Sequence, residues 1–308
     1  MRLPVRSVRI AARAERALRA VGLGRATWAR WLADRARTRW LAKHPQTSPL
    51  TSVEMGGVRF RMPSRYVPAY LEQPFDPLTT QRVRTYLRPG MTMVDVGAHI
   101  GYYTLLAAAR VGPRGRVFAV EPAEENVALL RENLARARAG HVTVLPFAAG
   151  GSDAVRSFAI TDSSDTHGFY QHPLQPTVRT VQVQQRALDG VIEGPVDLVK
   201  IDVEGAELEV LAGMTRILAR DRRLALVVEW NPACLRRAGR DPLDLPAALE
   251  ALGFGLAVLD EDAGRTRPLA EVASIVSSGS LPDSWFVNLW GERARPAVPG
   301  GRGDVQDP

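Results

Sequence analysis

The segment "MTMVDVGAHIGYYTLLAAARVGPRGRVFAVEP", from Met91 to Pro122, decides the fold. An apolar run ends at Asp95, a glycine-containing loop follows, a helical pattern begins near Tyr102, and a second apolar run ends at Glu121. Short apolar runs joined by a helical stretch are typical of parallel strands with a crossover helix. The segment therefore predicts a strand–helix–strand unit of an α/β domain.

The same alternation continues towards the C-terminus. Strands are predicted at "HVTVLPFAAG", "PVDLVKID", "RLALVVEW" and "FGLAVLD", and helices at "AEENVALLRENLARARAG", "EGAELEVLAGMTRIL" and "LPAALEAL". The last apolar run, "SWFVNLW", has no crossover helix before it and is predicted to insert antiparallel. Two hairpins are expected, one around Gly56-Gly57 in "TSVEMGGVRFRMP" and one between residues 155–160 and 178–185. We therefore expect a mostly parallel sheet covered on both faces.

These patterns divide the chain of 308 residues into four parts. Residues 1–48 are predicted to be a basic helical extension, and residues 49–90 a hairpin and a helix that lead into the core. Residues 91–292 form the α/β domain, and the Pro- and Gly-rich residues 293–308 are predicted to be a disordered tail.

The positive charge of the chain belongs to its N-terminal extension. Residues 1–43 carry a net charge of +10, whereas the whole chain carries +7, so the remaining residues carry a net charge of −3. The body therefore has no excess positive charge with which to grip nucleic acid, and we expect no specific nucleic-acid partner. The extension is predicted to pack on the body as a helical cap, to contact a membrane surface or a partner protein, or to be an organelle-targeting segment. The oligomeric state is not predicted.

Cysteine content and hydropathy bear on the compartment. The single cysteine, Cys234, excludes an internal disulfide and is typical of a reducing compartment. No apolar run reaches the roughly 18 residues that a membrane-spanning helix needs. We therefore expect a cytoplasmic protein, with peripheral membrane contact through the extension as the alternative.

The loop after the first strand of the domain is predicted to hold a ligand. Gly97, Ala98 and Gly101 are small and would let a ligand approach the backbone, but their G-x-x-x-G spacing differs from the dinucleotide pattern. Asp95, directly before them, would repel a pyrophosphate and instead suits an ammonium group, such as that of S-adenosylmethionine. Glu121 ends the second strand, where a carboxylate can accept hydrogen bonds from ribose hydroxyls. Because NAD sites share this ribose contact, an NAD-dependent oxidoreductase stays open as an alternative.

The segment "DLVKIDVEGAELEVL", 197–211, places charges where a strand meets a helix. One hypothesis makes Asp202 or Glu204 a general base near an acceptor hydroxyl, with Lys200 beside it. In another, Asp202 binds Mg²⁺ together with Glu229 and Asn231 from "EWN" at the end of the next strand.

A third interpretation of this segment is structural. Glu204 and Glu207 would then be favourable charges in the first helical turn, and Lys200 would pair with one carboxylate. Glu207 and Glu209 are interpreted as solvated helix positions. His167, in the polar loop "TDSSDTHGFYQHP", is either a further candidate base near neutral pH or part of an ordinary surface loop.

The blocks "VDVGAHIGYYT", "VFAVEP", "VDLVKIDVEGAELEVL" and "LALVVEW" together resemble the FkbM family of S-adenosylmethionine-dependent methyltransferases. The resemblance implies a Rossmann-like class I fold with a seven-stranded sheet and an antiparallel last strand. It also implies O-methylation of a hydroxyl on a small-molecule or sugar-like acceptor. A non-catalytic binding protein that retains the fold is the remaining alternative.

The resemblance assigns cofactor contacts residue by residue. Asp95, Gly97, Ala98 and Gly101 would line the methionine end of the cofactor, with His99 standing where the family often has Asn. Glu121 and Pro122 would lie at the ribose, and Ala148 and Ala149 of "PFAAG" at the adenine edge.

Overall fold

The structure is a computed structural model that describes residues 50–55, 57–63, 76–221 and 223–293. The predicted basic extension, residues 1–48, lies outside the described residues, as do residues 294–308 of the predicted tail. Within the described ranges, no helix is long and apolar enough to cross a membrane.

Strands and helices are numbered here in chain order. The strands are β1 (Leu50–Met55), β2 (Val58–Pro63), β3 (Thr92–Val96), β4 (Arg116–Val120), β5 (Val142–Leu145), β6 (Ala148–Ala149), β7 (Ala154–Thr161), β8 (Thr177–Arg186), β9 (Leu198–Ile201), β10 (Ala225–Trp230), β11 (Phe254–Asp260), β12 (Arg265–Pro268) and β13 (Val287–Arg293). The α-helices are α1 (Pro77–Tyr86), α2 (Tyr102–Val111), α3 (Glu124–Arg136), α4 (Glu207–Ala212), α5 (Thr215–Arg220), α6 (Pro232–Arg237), α7 (Asp244–Ala251) and α8 (Leu269–Ser277), and a 3₁₀ turn spans Leu188–Gly190.

The main sheet confirms the predicted α/β architecture. Its strand order is β12-β11-β13-β10-β9-β3-β4-β5, and the pairs among β5, β4, β3, β9 and β10 are parallel. The last strand, β13, lies antiparallel between β10 and β11, as predicted. The premise of that prediction is wrong, because helix α8 precedes β13. The sheet has eight strands rather than seven, because β12 pairs antiparallel with β11. The sequence of β12, RTRP, is too short and too polar to show a strand pattern.

Apolar side chains cover both faces of this sheet. Every residue of β3, β9 and β10 is buried, as expected for central parallel strands. Helices α1–α3 and strand β2 contribute to a core cluster on one face, whereas α4–α8 contribute to a cluster on the other. The predicted first hairpin is confirmed, with Met55 opposite Val58, and Phe60 and Met62 of β2 enter the first cluster.

A second sheet, of order β6-β8-β7, contains the other predicted hairpin, since β7 and β8 pair antiparallel. The predicted strand "HVTVLPFAAG" is divided, because β5 ends at Leu145 in the main sheet and β6 begins at Ala148 in the second one. Pro146 separates the two, and proline has no N–H with which to continue a ladder.

The predicted long helix after β9 is also divided, into α4 and α5, at Gly213. A Cβ on Gly213 would lie 1.9 Å from the carbonyl oxygen of Gly150. Close packing against the segment after β6 therefore requires glycine here, and glycine is a weak helix former.

Candidate active site

Asp95 and Lys200 lie opposite each other on the adjacent parallel strands β3 and β9. Both are buried, at 1% and 4% exposure, and Lys200 Nζ is 4.0 Å from Asp95 Oδ1. Thr104 donates a hydrogen bond of 2.6 Å to Asp95 Oδ2, but Asp95 Oδ1 is buried without a hydrogen-bond partner. This oxygen is the kind of acceptor that a bound cation or N–H donor would satisfy.

Lys200 lies between two carboxylates, that of Asp95 in β3 and that of Asp202 after β9. Its ammonium donates to Asp202 Oδ2 at 2.9 Å and lies 5.2 Å from the ring centre of Tyr103. Burial alone would lower the pKa of Lys200, but the carboxylates of Asp202 and Asp95 raise it above its ordinary value. Lys200 is therefore a fixed positive charge between two carboxylates.

Glu121, directly after β4, organises the neighbouring loop. Its carboxylate accepts hydrogen bonds from His99 N at 2.9 Å, Ala123 N at 3.0 Å and Asn126 Nδ2 at 3.2 Å. Burial to 5% exposure raises the pKa of Glu121 to about 7, although these donors favour the charged form. His99 has a left-handed backbone, with φ +50°, and its Nε2 lies 2.6 Å from Ser164 Oγ. Because Glu121 accepts a hydrogen bond from His99 N, it holds the loop in this turn.

The two glycines of the loop are required by packing within the protein. Gly97 has φ +79°, and a Cβ there would lie 1.8 Å from the carbonyl oxygen of Asp202. Gly101 has φ +101°, and a Cβ there would lie 2.6 Å from Leu130 Cδ1. The close approaches that the structure shows at these glycines are to the loop after β9 and to α3. Contact of their backbone with a ligand stays a prediction.

The remaining predicted cofactor residues lie around this loop or beside it. Ala98 is 4% exposed, and its N–H and that of Gly97 both donate to Val120 O. Pro122 is half-buried immediately after Glu121, and Ala148 and Ala149 are buried in β6. Their contact with a cofactor stays a prediction.

Three carboxylates converge beyond Lys200. One oxygen from each of Asp202, Glu204 and Glu229 lies within 4.8 Å of the others. Glu229 is 9% exposed, and its Oε2 is buried without a hydrogen-bond partner. Burial, and then the charge of Asp202, raise the pKa of both Glu204 and Glu229 well above the ordinary range. Asp202 is the most open of the three, with 35% of its side chain exposed.

Asn231 does not complete this set as the magnesium hypothesis expected. It is the N-cap of α6, and its Oδ1 accepts hydrogen bonds from Ala233 N at 3.1 Å and Cys234 N at 3.2 Å. Because the cap uses the side-chain oxygen, the structure corrects the proposed ligand set. The third carboxylate whose oxygen lies close to those of Asp202 and Glu229 is that of Glu204.

The interpretation of Glu207 as a solvated charge is also wrong. Glu207 is 3% exposed, and its Oε1 accepts from Gly205 N at 3.0 Å and Val203 N at 3.3 Å. Burial raises the pKa of Glu207 to about 7. Glu209 is likewise not a free surface charge, because Arg156 and Tyr170 both donate to it.

The histidine close to the carboxylates is His172 rather than the predicted His167. His167 Nδ1 accepts from Thr161 N at 3.1 Å, and its ring meets Phe158 edge-on. His172 Nε2 lies 3.7 Å from Glu204 Oε2. Both histidines lie between β7 and β8, so the sequence located the loop but not which of its histidines reaches Glu204.

Tyr103 and Asp76 were missed by sequence reasoning. Tyr103, in the first turn of α2, places its ring beside Lys200 and donates from its hydroxyl to Asp76 Oδ2 at 3.3 Å. Asp76 immediately precedes α1. The position of Tyr103 directly after the glycine loop was the available signal, whereas Asp76 carried none beyond its place at a helix start.

Known proteins resemble this chain over part of its length. A hexuronic acid methyltransferase, AglP of Haloferax volcanii, is 31% identical over 159 residues, which cover 50% of this chain and 59% of that protein. A protein-L-isoaspartate O-methyltransferase of Methanothrix thermoacetophila is 42% identical over 59 residues, which cover 19% of this chain and 28% of that protein. The chain thus spans less than two thirds of either relative.

Among solved structures, the FkbM methyltransferase of Methylobacillus flagellatus is 20% identical with a TM-score of 0.42, covering 74% of this chain and 54% of that one. The model of the methyltransferase FkbM domain matches residues 95–256, which include Asp95, Glu121, Lys200 and the three converging carboxylates. Because this match covers more than half of the 308 residues, the chain belongs to the FkbM family of methyltransferases.

Proposed function

We propose that this protein transfers a methyl group from S-adenosylmethionine to a hydroxyl oxygen of a small-molecule, sugar-like acceptor. The observation that carries the proposal is Asp95 Oδ1, which is buried at a strand end without a hydrogen-bond partner. Lys200 Nζ lies 4.0 Å from it, and Asp202 pairs with the same lysine. In open α/β sheets, ligands bind outside the carboxyl ends of the strands, where these residues lie.

The residues around the glycine loop fit S-adenosylmethionine. Asp95 Oδ1 is an acceptor for the ammonium of the methionine part. Glu121 accepts three hydrogen bonds, which leaves about one of the four acceptor positions of its carboxylate, on Oε2, for a ribose hydroxyl. Ala148, Ala149 and Pro122 would flank the adenine and ribose. When bound, the cofactor supplies an electrophilic methyl group.

Asp202 is the residue that we assign as general base. Its Oδ2 is held by Lys200, and its side chain is the most accessible of the three converging carboxylates. Glu204 and Glu229 have pKa values raised well above the ordinary range by burial, which favours their protonated forms. Asp202 is therefore the carboxylate best placed to accept the proton of an acceptor hydroxyl.

The acceptor class is the finer part of the proposal. It is supported by the similarity to a relative named as a hexuronic acid methyltransferase. The test is a labelled-methyl assay with S-adenosylmethionine and a panel of acceptors that contain hexuronic acids, neutral sugars and phenols. We expect label on a sugar hydroxyl, whereas label on amino groups alone would contradict O-methylation.

A matched pair of variants tests the base. Asp202→Asn should lower turnover by about 100-fold or more, because a positioned base contributes roughly 10²–10⁴-fold, while cofactor affinity stays unchanged. Asp162→Asn, at an exposed residue of the loop after β7, is the control and should retain full turnover. Unchanged turnover in Asp202→Asn would exclude the base role.

Magnesium remains a second hypothesis for this site, because three carboxylates converge there. A magnesium ion between Asp202 and Glu229 would make turnover depend on added Mg²⁺. A base mechanism predicts the same turnover at every Mg²⁺ concentration.

A further inference from the structure

Asp76 stands directly before α1, where an aspartate usually caps a helix, but its side chain does not cap this one. Because Pro77 has no N–H, the first two N–H groups of α1 are those of Leu78 and Thr79. Both donate to the carboxylate of Glu261, at 2.9 Å and 2.8 Å. Glu261 therefore satisfies the start of the helix, and the carboxylate of Asp76 is left for another contact.

That contact is with Tyr103, which donates from its hydroxyl to Asp76 Oδ2 at 3.3 Å. Among the residues that the structure describes, Tyr103 is the one hydrogen-bond donor to this carboxylate. Asp76 is half-buried and has φ +42°, a left-handed backbone that glycine adopts more readily. Backbones of this kind are concentrated at functional sites, where the surrounding structure holds them. The carboxylate thus keeps acceptor positions, on Oδ1 above all, for a further hydrogen bond.

Tyr103 connects Asp76 with the residues that we assign to proton transfer. The centre of its ring lies 5.2 Å from Lys200 Nζ, and Lys200 donates to Asp202 Oδ2 at 2.9 Å. Burial, and then the charges of Glu261 and Asp202, raise the pKa of Asp76 to about 7, whereas the charge of Lys200 lowers it. Asp76 is therefore within electrostatic range of both Lys200 and Asp202.

The first turn of α1 also lies next to the strand that carries Glu229. Asn288 Nδ2 donates to Thr79 Oγ1 at 3.1 Å, and Asn288 lies opposite Glu229 in the antiparallel pair of β10 and β13. Glu229 is one of the three converging carboxylates, near the carboxyl end of β10. Asp76, which precedes this helical turn, therefore lies at the same edge of the sheet, where an acceptor is expected to bind.

We propose that Asp76 binds the methyl acceptor, with its carboxylate accepting a hydrogen bond from a second hydroxyl, while Asp202 serves the hydroxyl that is methylated. This inference rests on the proposed function and adds a requirement to it, namely that the acceptor carries at least two hydroxyls. A carboxylate of the acceptor would be repelled by Asp76 and Asp202, so it would point away from this position. Two hydroxyls held by separate carboxylates fix the orientation of the acceptor, which one base alone does not.

Methyl-transfer kinetics of the full-length protein test the proposal, with methyl glucuronide and with analogues that each lack one of its ring hydroxyls. In Asp76→Asn, we expect KM for methyl glucuronide to rise about tenfold or more, because a hydrogen bond to a charged group is lost. Turnover and S-adenosylmethionine affinity should stay as in the wild type. One analogue should raise KM of the wild type by the same factor, and Asp76→Asn should not raise KM further for that analogue. Asparagine also tolerates a left-handed backbone, so the variant should retain the fold.

Two further variants separate binding from a structural role. Asp283→Asn, at an exposed residue between α8 and β13, is the control and should keep the wild-type KM for every acceptor. If Asp76 served only to hold Tyr103, Asp76→Asn and Tyr103→Phe would lower turnover alike, and the ratios of KM among the acceptors would stay as in the wild type.

The outcomes distinguish this inference from the proposed function. A wild-type KM in Asp76→Asn, or a rise in KM that is equal for methyl glucuronide and all its analogues, would overturn the role of Asp76 alone. No methyl transfer by the wild type to any of these acceptors would refute the sugar-like acceptor of the proposed function, and this inference with it.

Discussion

Gly97→Ala tests whether the glycine loop and the loop after β9 are as close as the structure has them. Gly97 has φ +79°, and an added Cβ would lie 1.8 Å from the carbonyl oxygen of Asp202. Left-handed backbone costs a non-glycine residue roughly 1–2 kcal/mol. The overlap with a backbone atom cannot be relieved by a side-chain rotation and should add about 1–3 kcal/mol.

Gly253→Ala is the matched control. Its φ of +84° gives nearly the same backbone strain, but a Cβ there meets nothing within 4 Å. We therefore expect Gly253→Ala to lower the free energy of unfolding by about 1–2 kcal/mol and Gly97→Ala by about 2–5 kcal/mol. The difference between the two variants isolates the contact with Asp202.

Urea unfolding followed by circular dichroism gives both values, provided that the slopes with urea agree between the variants. Equal losses in Gly97→Ala and Gly253→Ala would refute the close approach, and with it the positions of Asp202 and Lys200 relative to Asp95. Gly97→Ala should also weaken S-adenosylmethionine binding, because relief of the overlap must move one of the two loops.

Two further variants test the corrected residues. Burial raises the pKa of Glu207 to about 7 from an ordinary 4.5, so the folded state binds more protons than the unfolded state between these values, and stability falls as the pH rises through them. In the wild type, the free energy of unfolding should fall between pH 4 and pH 8, and Glu207→Gln should make this fall smaller by up to about 3 kcal/mol. If the free energy of unfolding of Glu207→Gln fell with pH as steeply as that of the wild type, the burial argument would be contradicted. Asn231→Ala should cost about 1 kcal/mol through loss of the helix cap, whereas Asn231→Asp should retain most of the stability; equal losses in urea unfolding would exclude the cap.

The sequence predicted the features that follow from strand order. Parallel strands end at one edge of a sheet, so acidic residues at their carboxyl ends, such as Asp95 within β3 and Glu121 after β4, were expected to lie near one another. Both hairpins followed from their sequence patterns. The antiparallel last strand was predicted correctly but from a wrong premise, because helix α8 lies between β12 and β13.

Other features depend on contacts that no local pattern contains. Helical periodicity marked Glu207 as a first-turn charge, but it did not show that the carboxylate is buried and accepts hydrogen bonds from the N–H groups of Val203 and Gly205. His172 and Cys234 both approach Glu204, although the three residues belong to elements that are distant in the chain. No local sequence pattern could therefore predict these contacts.

Calorimetric titration of the purified protein with S-adenosylmethionine, and with NAD as the competing ligand, tests the central claim most directly. We predict one S-adenosylmethionine site, no NAD binding, and affinities lowered about tenfold or more in Asp95→Asn and Glu121→Gln, since a hydrogen bond to a charged group contributes roughly 1.5–3 kcal/mol. The control Glu132→Gln, at a partly exposed carboxylate paired with Arg61, should bind like the wild type. Binding of NAD without S-adenosylmethionine, or wild-type affinity in both Asp95→Asn and Glu121→Gln, would contradict the account.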